Sequence, residues 1–235
     1  MAFKRARSEE QVDIRLKSIR KAALSLYDKT GEAGVTFENV ARKTGLTRPA
    51  LYSYYENRHE LLLDLLNEEF SDLNSSIREN PDIAAPVDAQ SFSCKLADTI
   101  SSHRRFIKLF SQCAIIFDNV SCVKLLSVFD CCYKEFIELI SLSVKNLTDT
   151  PDEDFSLRYA KSVAAAVCGV FQLSQGTKRA VSEVQDAVTT SALTSFEDDL
   201  RVALRLLTQG VAQGGRKSHS IKQALSEVLK FDEFL

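Results

Sequence analysis

Residues 35–61 read VTFENVARKTGLTRPALYSYYENRHEL, a stretch that predicts two short helices joined by a glycine turn and followed by the start of a third helix. Thr36 can cap the first helix, with Glu38 placing negative charge in its first turn. Gly45 stands where that helix must end, because glycine tolerates a positive φ. Pro49 is compatible only with the first turn of the second helix, where its missing N–H costs nothing. The stretch therefore predicts a helix–turn–helix arrangement.

The second short helix carries more hydrogen-bonding groups than a core helix requires. Leu51 and Tyr55, four residues apart, can hold it against the first helix. The polar side chains that remain are Thr47, Arg48, Tyr52, Ser53 and Tyr54. Hydroxyls and a cation at the front of such a helix suit contacts to base edges and phosphates. The sequence therefore predicts the recognition helix of a DNA-binding head.

The same segment resembles the DNA-binding region of TetR/AcrR-type transcriptional regulators. The matching positions are Thr36, Val40, Ala41, Thr44-Gly45-Leu46-Thr47, Pro49-Ala50, Leu51-Tyr52, Tyr54-Tyr55 and Arg58. The resemblance is specific because Leu-Tyr-x-Tyr-Tyr is followed closely by a basic residue. One departure matters most: Pro49 replaces the family's glycine at a position where DNA contacts are expected.

The resemblance implies an all-α chain in two parts. Residues 1–57 would form an N-terminal three-helix helix-turn-helix head. Residues 58–235 would form a C-terminal helical domain for ligand binding and dimerisation, with residues 58–79 as the connecting helix. The implied function is that of a ligand-responsive, homodimeric DNA-binding regulator, most often a repressor released from a palindromic operator by a small lipophilic inducer. Its partners would be double-stranded DNA, a second copy of the chain and a small-molecule effector.

Positions in the motif divide the candidate DNA-binding residues into two groups. The candidates for base-edge or groove contacts are Thr47, Arg48, Tyr52 and Ser53, and Pro49 is a further DNA-binding candidate. The candidates for phosphate contacts are Thr36, Tyr54 and Arg58. A lost phosphate contact should weaken binding to all sequences alike, whereas a lost base contact should relax specificity.

The charge of the chain is unevenly distributed. Its 235 residues carry a formal net charge of −2, but residues 1–60 hold twelve Lys or Arg and eight Asp or Glu, a net +4. A basic end on an acidic body is expected when only one end meets phosphate. Lys4, Arg5 and Arg7 can form a DNA-contacting arm or an inert tail.

The chain has no long apolar run and no N-terminal apolar region of a signal peptide, which favours a cytoplasmic protein without a membrane span.

Apolar periodicity predicts helices before and after the quoted stretch, and no segment shows the alternation of a strand. Few glycines and prolines, eight and four, favour long helices. The predicted helices are Val12–Thr30, a long helix from Arg58 to the break at Asn80-Pro81, Ala89–Ser101, Arg104–Phe117, Val120–Leu147, Asp154–Gln175 and Thr190–Gln209.

By resemblance, the last two helices of the body would pair with their copies in a four-helix dimer interface. The candidates for this contact are Ala164, Cys168, Leu193, Phe196, Leu200, Leu204 and Leu207. The alternative is that these residues fill the core of one chain. The tail after Gly215 ends in apolar residues that must be buried either on the body or on a partner subunit.

A ligand pocket in the body is implied by the resemblance and suggested by the density of aromatic residues. An apolar cavity with a few polar groups would suit a lipophilic molecule. The candidate pocket residues are Phe110, Gln112, Phe129, Tyr133, Phe136 and Gln172. The alternative is a close-packed aromatic core without a cavity.

No residue pattern points to an enzyme. The sequence offers no Ser/His/Asp or Cys/His set, no glycine-rich phosphate loop after a strand and no paired carboxylates, so no cofactor and no metal are expected. Six cysteines include none in a C-x-x-C pair, and they are expected to be reduced small hydrophobes. A redox or metal sensor built from Cys113, Cys122, Cys131 and Cys132 is the less favoured alternative.

Two rival functions remain at this stage. One is a regulator of the same fold that activates transcription or answers to a protein partner. The other is an all-helical interaction protein whose head has lost DNA binding, although Thr47, Arg48, Tyr54 and Arg58 argue against it.

Overall fold

The computed structural model describes residues 9–147, 153–183 and 195–209, and every regular element within these ranges is helical. The helices are α1 (Glu9–Thr30), α2 (Phe37–Thr44), α3 (Arg48–Leu51), α4 (Arg58–Glu79), α5 (Pro81–Ala84), α6 (Ala89–Ser102), α7 (Arg104–Phe110), α8 (Cys113–Phe117), α9 (Val123–Lys145), α10 (Glu153–Glu183) and α11 (residues 196–209), with a 3₁₀ turn at Glu32–Gly34. The predicted all-α class is confirmed for this part of the chain.

The helix–turn–helix forms as its local signals predicted. Thr36 Oγ1 accepts a hydrogen bond from the backbone N–H of Asn39 at 3.2 Å and caps α2. Gly45 ends α2 in the left-handed region, with φ 71°. Thr47 Oγ1 then accepts from the N–H of Ala50 at 3.3 Å and caps α3. These caps satisfy amide groups that the helix itself cannot pair.

One predicted helix is divided in the structure. The periodicity predicted a single helix over Arg104–Phe117, but α7 ends at Phe110 and α8 begins at Cys113. The Ser111 hydroxyl donates to the carbonyl of Lys108 at 2.9 Å. The backbone N–H of Gln112 donates to the carbonyl of Leu109 at 3.1 Å, so the chain turns more tightly here than an α-helix does, which the apolar pattern alone does not reveal.

The chain forms two compact units. Unit 1 comprises residues up to 71 together with 108–132, and unit 2 comprises residues 72–107 together with those from 133 onwards, as far as each is described. The predicted domain division after residue 57 stays a prediction.

Unit 1 is built on the first part of α4. Six of its apolar side chains are fully buried, namely Leu61, Leu62, Leu63, Leu65, Leu66 and Phe70. Phe70 contacts Phe110 and Phe129, with ring centroids 5.5 and 5.7 Å apart, and Phe129 meets Phe117 edge to face at 4.8 Å. Together Phe70, Phe110, Phe117 and Phe129 form what we call the phenylalanine cluster.

Unit 2 joins α6, α10 and α11. Tyr159 of α10 packs against Phe92 of α6, with ring centroids 6.4 Å apart. The Tyr159 hydroxyl shares a buried 2.7 Å hydrogen bond with Thr208 of α11. On the same two helices, Phe171 meets Phe196 edge to face at 5.6 Å. One aromatic contact and one buried hydrogen bond therefore hold α11 on α10.

Two kinds of feature are missing from the described residues. No helix among them is long and apolar enough to cross a membrane. In the same part of the chain, no three His, Cys, Asp or Glu side chains come together as a metal site would require.

We predict that Gly45→Ala lowers the free energy of unfolding by about 1–2 kcal/mol, because alanine is strained in the left-handed region. Urea denaturation at fixed protein concentration measures the change. Gly45→Asn is the control, because asparagine tolerates the left-handed region better than alanine does and should lower the free energy of unfolding less. Equal effects of the two substitutions would contradict the conformational explanation.

Candidate nucleic-acid interface

The turn after α3 fixes the orientation of the candidate recognition residues. The backbone N–H groups of Tyr54 and Tyr55 both donate to the carbonyl of Leu51, at 2.9 and 3.0 Å. Leu51 and Tyr55 are buried, so this turn is anchored from inside. The residues that remain exposed around α3 are Thr47, Arg48, Pro49, Tyr52 and Ser53. They are the four predicted base-edge or groove candidates together with Pro49, and the structure brings them onto one short segment.

Arg48 and Tyr52 form a pair on this surface. The Arg48 guanidinium carbon lies 6.0 Å from the centre of the Tyr52 ring, and Arg48 Nη2 donates to the Tyr52 hydroxyl at 3.4 Å. The Tyr52 ring in turn meets the buried Phe37 edge to face at 5.0 Å, although half of Tyr52 is exposed. The guanidinium is thus backed by a ring that the core of the head supports.

The hydroxyl groups of the interface differ in what they can offer a ligand. Thr36 and Thr47 accept bonds from their helix N-termini, so each hydroxyl proton can point outward and donate. Ser53 donates to the carbonyl of Ala50 at 2.7 Å, so its oxygen is available as an acceptor. Donors and an acceptor therefore stand close together, as recognition of mixed base edges requires.

Arg58 has a partner within the head. Its guanidinium forms a 2.8 Å ion pair with Glu32 of the 3₁₀ turn, which joins the first turn of α4 to that segment. Burial and the neighbouring Arg58 charge lower the pKa of His59, against the opposing effect of Glu32. Arg58 and the other two phosphate candidates, Thr36 and Tyr54, are all half-buried.

Two cations of α2 were not among the predicted contacts. Lys43 is exposed, and its ammonium donates to the Ser25 hydroxyl at 2.8 Å. Arg42, also exposed, pairs with Glu38 one turn earlier at 3.0 Å. A signal for both exists in the sequence, since basic residues in the last turn of a helix next to a recognition helix lie near the same surface.

The predicted pocket residues are distributed over both units. Unit 1 contains Phe110, Gln112 and Phe129, and two of these three belong to the phenylalanine cluster. The Gln112 Oε1 atom is buried and has no hydrogen-bond partner among the described residues. The same holds for Oδ1 of Asn67, a buried residue whose amide nitrogen donates to the carbonyl of Leu125 at 3.1 Å.

The other three pocket candidates belong to unit 2. Phe136 is buried, Tyr133 is half-buried and Gln172 is exposed on α10. The pocket stays a prediction. Asn67 was missed because an isolated asparagine within a leucine-rich helix gives no motif to recognise.

The predicted interface residues are mostly covered within one chain. The buried members are Ala164, Phe196, Leu200 and Leu204, the half-buried ones are Cys168 and Leu207, and Leu193 lies outside the described residues. A different row of α10 side chains is exposed, at the spacing of one helix face: Ser162, Ala165, Gly169, Leu173 and Gly176. We call this row the small-residue stripe.

Comparison with known proteins agrees with the geometry of the head. The family profile described as "Bacterial regulatory proteins, tetR family" matches residues 19–65. Over 91 residues the chain is 27% identical to an HTH-type transcriptional repressor of Streptomyces coelicolor. This alignment covers 39% of the chain and 45% of the relative, so the chain matches less than half the length of that protein.

Solved structures share the fold over a longer stretch. A transcriptional regulator from Rhodococcus sp. Rha1 aligns with a TM-score of 0.60 at 15% identity, over 85% of this chain and 96% of that one. FadR from Bacillus subtilis, solved in complex with stearoyl-CoA, aligns with a TM-score of 0.54 at 13% identity, over 83% of this chain and 98% of that one.

The profile match lies on the helices that form the head, and it includes the caps and the α2–α3 turn. The fold of solved regulators extends over the remaining helices. Residues 19–65 therefore match the tetR family of bacterial regulatory proteins, and the chain shares the fold of solved transcriptional regulators.

Proposed function

We propose that this chain is a homodimeric repressor of the TetR/AcrR family that binds a palindromic operator and releases it when a small lipophilic effector binds. The observation that carries the proposal is the exposed segment at α3, where a supported guanidinium, hydroxyl donors and an acceptor lie on one turn. Two such heads about 34 Å apart would match half-sites one helical turn apart. Effector binding would then favour a conformation whose head spacing does not match.

Arg48 is the strongest candidate for reading a base. Arginine binds the O6 and N7 atoms of guanine in a bidentate manner, which is the commonest specific contact in the major groove. The Tyr52 ring beside Arg48 limits the conformations of its long side chain, so less entropy is lost when it binds. We therefore propose that each half-site contains a guanine that Arg48 recognises.

We predict that Arg48→Ala relaxes the operator sequence at one position in each half-site. Loss of a bidentate contact costs about 1–3 kcal/mol of discrimination against the wrong base. Selection of binding sites from a random duplex pool measures this, with wild type and variant side by side. Arg42→Ala is the matched control, because Arg42 is an exposed cation that pairs with Glu38 on the neighbouring helix.

The wild type should recover a palindrome with a fixed guanine, and Arg42→Ala should recover the same one. An unchanged consensus for Arg48→Ala would remove Arg48 as a base reader. Failure of the wild type to enrich any sequence at low salt would overturn the DNA-binding proposal itself.

A second copy of the chain is the occupant we propose for the small-residue stripe. Small side chains permit two helices to approach closely, and a Cβ at Gly169 or Gly176 would meet nothing within 4 Å in the single chain. Leu173, in the same stripe, is 73% exposed, and Val202 and Leu206 of α11 are exposed as well. Burial of these apolar side chains would favour dimerisation. By the family resemblance, a subunit contact is expected on the same two helices.

We predict that Gly169→Leu prevents dimerisation without unfolding the chain. The leucine side chain would block close helix approach, while replacing a helical glycine should stabilise α10 itself by about 1 kcal/mol. Sedimentation velocity gives the mass and circular dichroism gives the helix content. Gln175→Leu is the control, since this exposed residue lies roughly 120° around the helix from the stripe. A Gly169→Leu protein that dimerises as tightly as the wild type would contradict the proposed face.

The phenylalanine cluster supports an effector site in unit 1. Buried acceptors without partners are rare, because each costs about 1–3 kcal/mol when it loses water. Gln112 Oε1 and Asn67 Oδ1 are two such atoms in the unit that contains the cluster. A lipophilic molecule with a hydrogen-bond donor would satisfy both features. The acyl-CoA that FadR of Bacillus subtilis binds suggests the first compound class to test.

We predict that stearoyl-CoA raises the thermal unfolding midpoint of the wild type. A ligand at one hundred times its Kd contributes about 2.7 kcal/mol, which for a chain of this size corresponds to a rise of roughly 5–10 °C. Differential scanning fluorimetry measures the rise, with coenzyme A alone as the control ligand. Gln112→Leu should raise the midpoint of the unliganded protein and reduce the response to stearoyl-CoA. An unchanged wild-type midpoint at saturating stearoyl-CoA would remove acyl-CoA from the proposal.

A further inference from the structure

The carboxylate of Asp64, in the second turn of α4, accepts hydrogen bonds from two other parts of the head. The Tyr55 hydroxyl donates to Asp64 Oδ2 at 2.5 Å, and Arg20 Nη1 of α1 donates to the same oxygen at 3.0 Å. Arg20 Nε also lies 2.5 Å from Glu68 Oε1, one turn further along α4. All four residues belong to unit 1, so α1, α4 and the segment after α3 are joined by one polar cluster.

The cluster is well shielded from water. Tyr55 is 2% exposed, and the side chains of Arg20 and Asp64 are 18% and 15% exposed. A charge-assisted hydrogen bond in such surroundings is stronger than one between neutral groups at the surface. The cluster is therefore able to fix the geometry of the segments it joins.

The protonation states of the cluster determine which group donates in the hydrogen bond between Tyr55 and Asp64. Burial raises the pKa of Tyr55, and the Asp64 charge raises it further, so the hydroxyl keeps its proton at any ordinary pH. Burial opposes the charge of Arg20, yet Asp64 and Glu68 raise its pKa overall, so the guanidinium stays charged. Tyr55 is thus always the donor and Asp64 the acceptor.

Tyr55 is rigidly connected to the recognition helix. Its backbone N–H donates to the carbonyl of Leu51, the last residue of α3, at 3.0 Å. Four residues are too few for a helix to be stable alone, so contacts with the rest of the head must hold α3 in place. Leu51 supplies an apolar contact, which has little directional preference. The Tyr55–Asp64 hydrogen bond supplies direction, because it weakens steeply when its geometry is disturbed.

We infer that Tyr55 is a positioning residue for DNA recognition: its hydroxyl, bound to Asp64, sets the orientation of α3 on α4 without touching DNA. This inference rests on the proposed DNA binding. It also assigns α4 a specific role, since a shift of Asp64 would be transmitted through one hydrogen bond to the segment that carries Arg48 and Tyr52. Arg20 holds the Asp64 carboxylate for Tyr55.

Tyr55→Phe is the most direct test, because it removes only the hydroxyl and keeps the buried ring. We expect its affinity for the operator selected by the wild type to fall by about five- to tenfold, the size of effect a lost charge-assisted hydrogen bond can produce. The slope of log Kd against log salt should not change, because no phosphate contact is lost. Binding to random duplex should be unaffected, so the specificity ratio should fall by the same factor.

A double-substitution cycle tests whether Asp64 is the partner. Asp64→Asn should weaken operator binding, and adding Tyr55→Phe to it should weaken binding little further, because both changes disturb the same bond. Tyr27→Phe is the matched control: Tyr27 is a buried tyrosine of α1, 4% exposed, in the same unit. It should leave operator affinity at the wild-type value. All affinities are measured well below the unfolding midpoint, with folding checked by circular dichroism.

The outcomes distinguish a positioning role of the Tyr55 hydroxyl from a role in the stability of the fold alone. A lower unfolding midpoint with unchanged operator affinity for Tyr55→Phe would make the hydroxyl merely structural and would overturn the inference, while the DNA-binding proposal would stand. Equal losses for Tyr27→Phe and Tyr55→Phe would also overturn it. If Tyr55→Phe does not fold, additive effects of Asp64→Asn and Arg20→Lys on operator affinity would overturn it. A wild type that selects no operator would overturn both proposals.

Discussion

The head depends on one negative charge that would be costly to leave without partners. Asp64 is mostly shielded from water, and an unpaired carboxylate in that position would lose its solvation without compensation. Arg20 compensates the charge, and Tyr55 satisfies another of its lone pairs. Because Asp64 lies on α4 and its two partners come from α1 and the segment after α3, satisfying this single carboxylate also fixes how those segments meet. The apolar core supplies most of the stability of the unit, and Asp64 selects the geometry.

At the start of α4, too, one polar side chain bonds two parts of the unit. Asn57 Oδ1 accepts from the N–H groups of His59 and Glu60, and the buried Glu60 carboxylate accepts from the N–H of Glu56. This pattern resembles a capping box, with the amide before the N-cap residue in place of the N-cap amide. The Asn57 amide nitrogen donates to the carbonyl of Asn119 at 2.9 Å. One side chain therefore caps α4 and also joins it to the segment after α8. This bond, together with the Phe70 contacts, explains why residues 108–132 belong to unit 1.

Sequence reasoning was accurate where the physical signal is local. A cap at Thr36, a left-handed Gly45 and a tolerated Pro49 each depend on residues within one turn, so their spacing is enough to predict them. The Arg20–Asp64 pair spans 44 residues, and no local pattern selects this carboxylate among several. Periodicity identified an apolar face at Leu200 and Leu204 but not what covers it. In the structure Leu200 and Leu204 are buried within one chain, on a helix that contacts α10 through the Phe171–Phe196 pair and the Tyr159–Thr208 hydrogen bond.

The formal charge of the head overstates the positive charge that is available to bind phosphate. Residues 1–60 carry a net +4, but several of the cations in the head already face carboxylates. Arg20 pairs with Asp64 and Glu68, Arg42 with Glu38, and Arg58 with Glu32. A cation that must leave an acidic partner to reach a phosphate gains only the difference between the two interactions. Arg48 and Lys43 are instead seen beside a tyrosine and a serine hydroxyl, whose attraction is weaker than that of a phosphate. Attraction of phosphate groups to this surface would therefore depend less on its net charge than on which cations have neutral neighbours, and one of these, Arg48, is the first residue of α3.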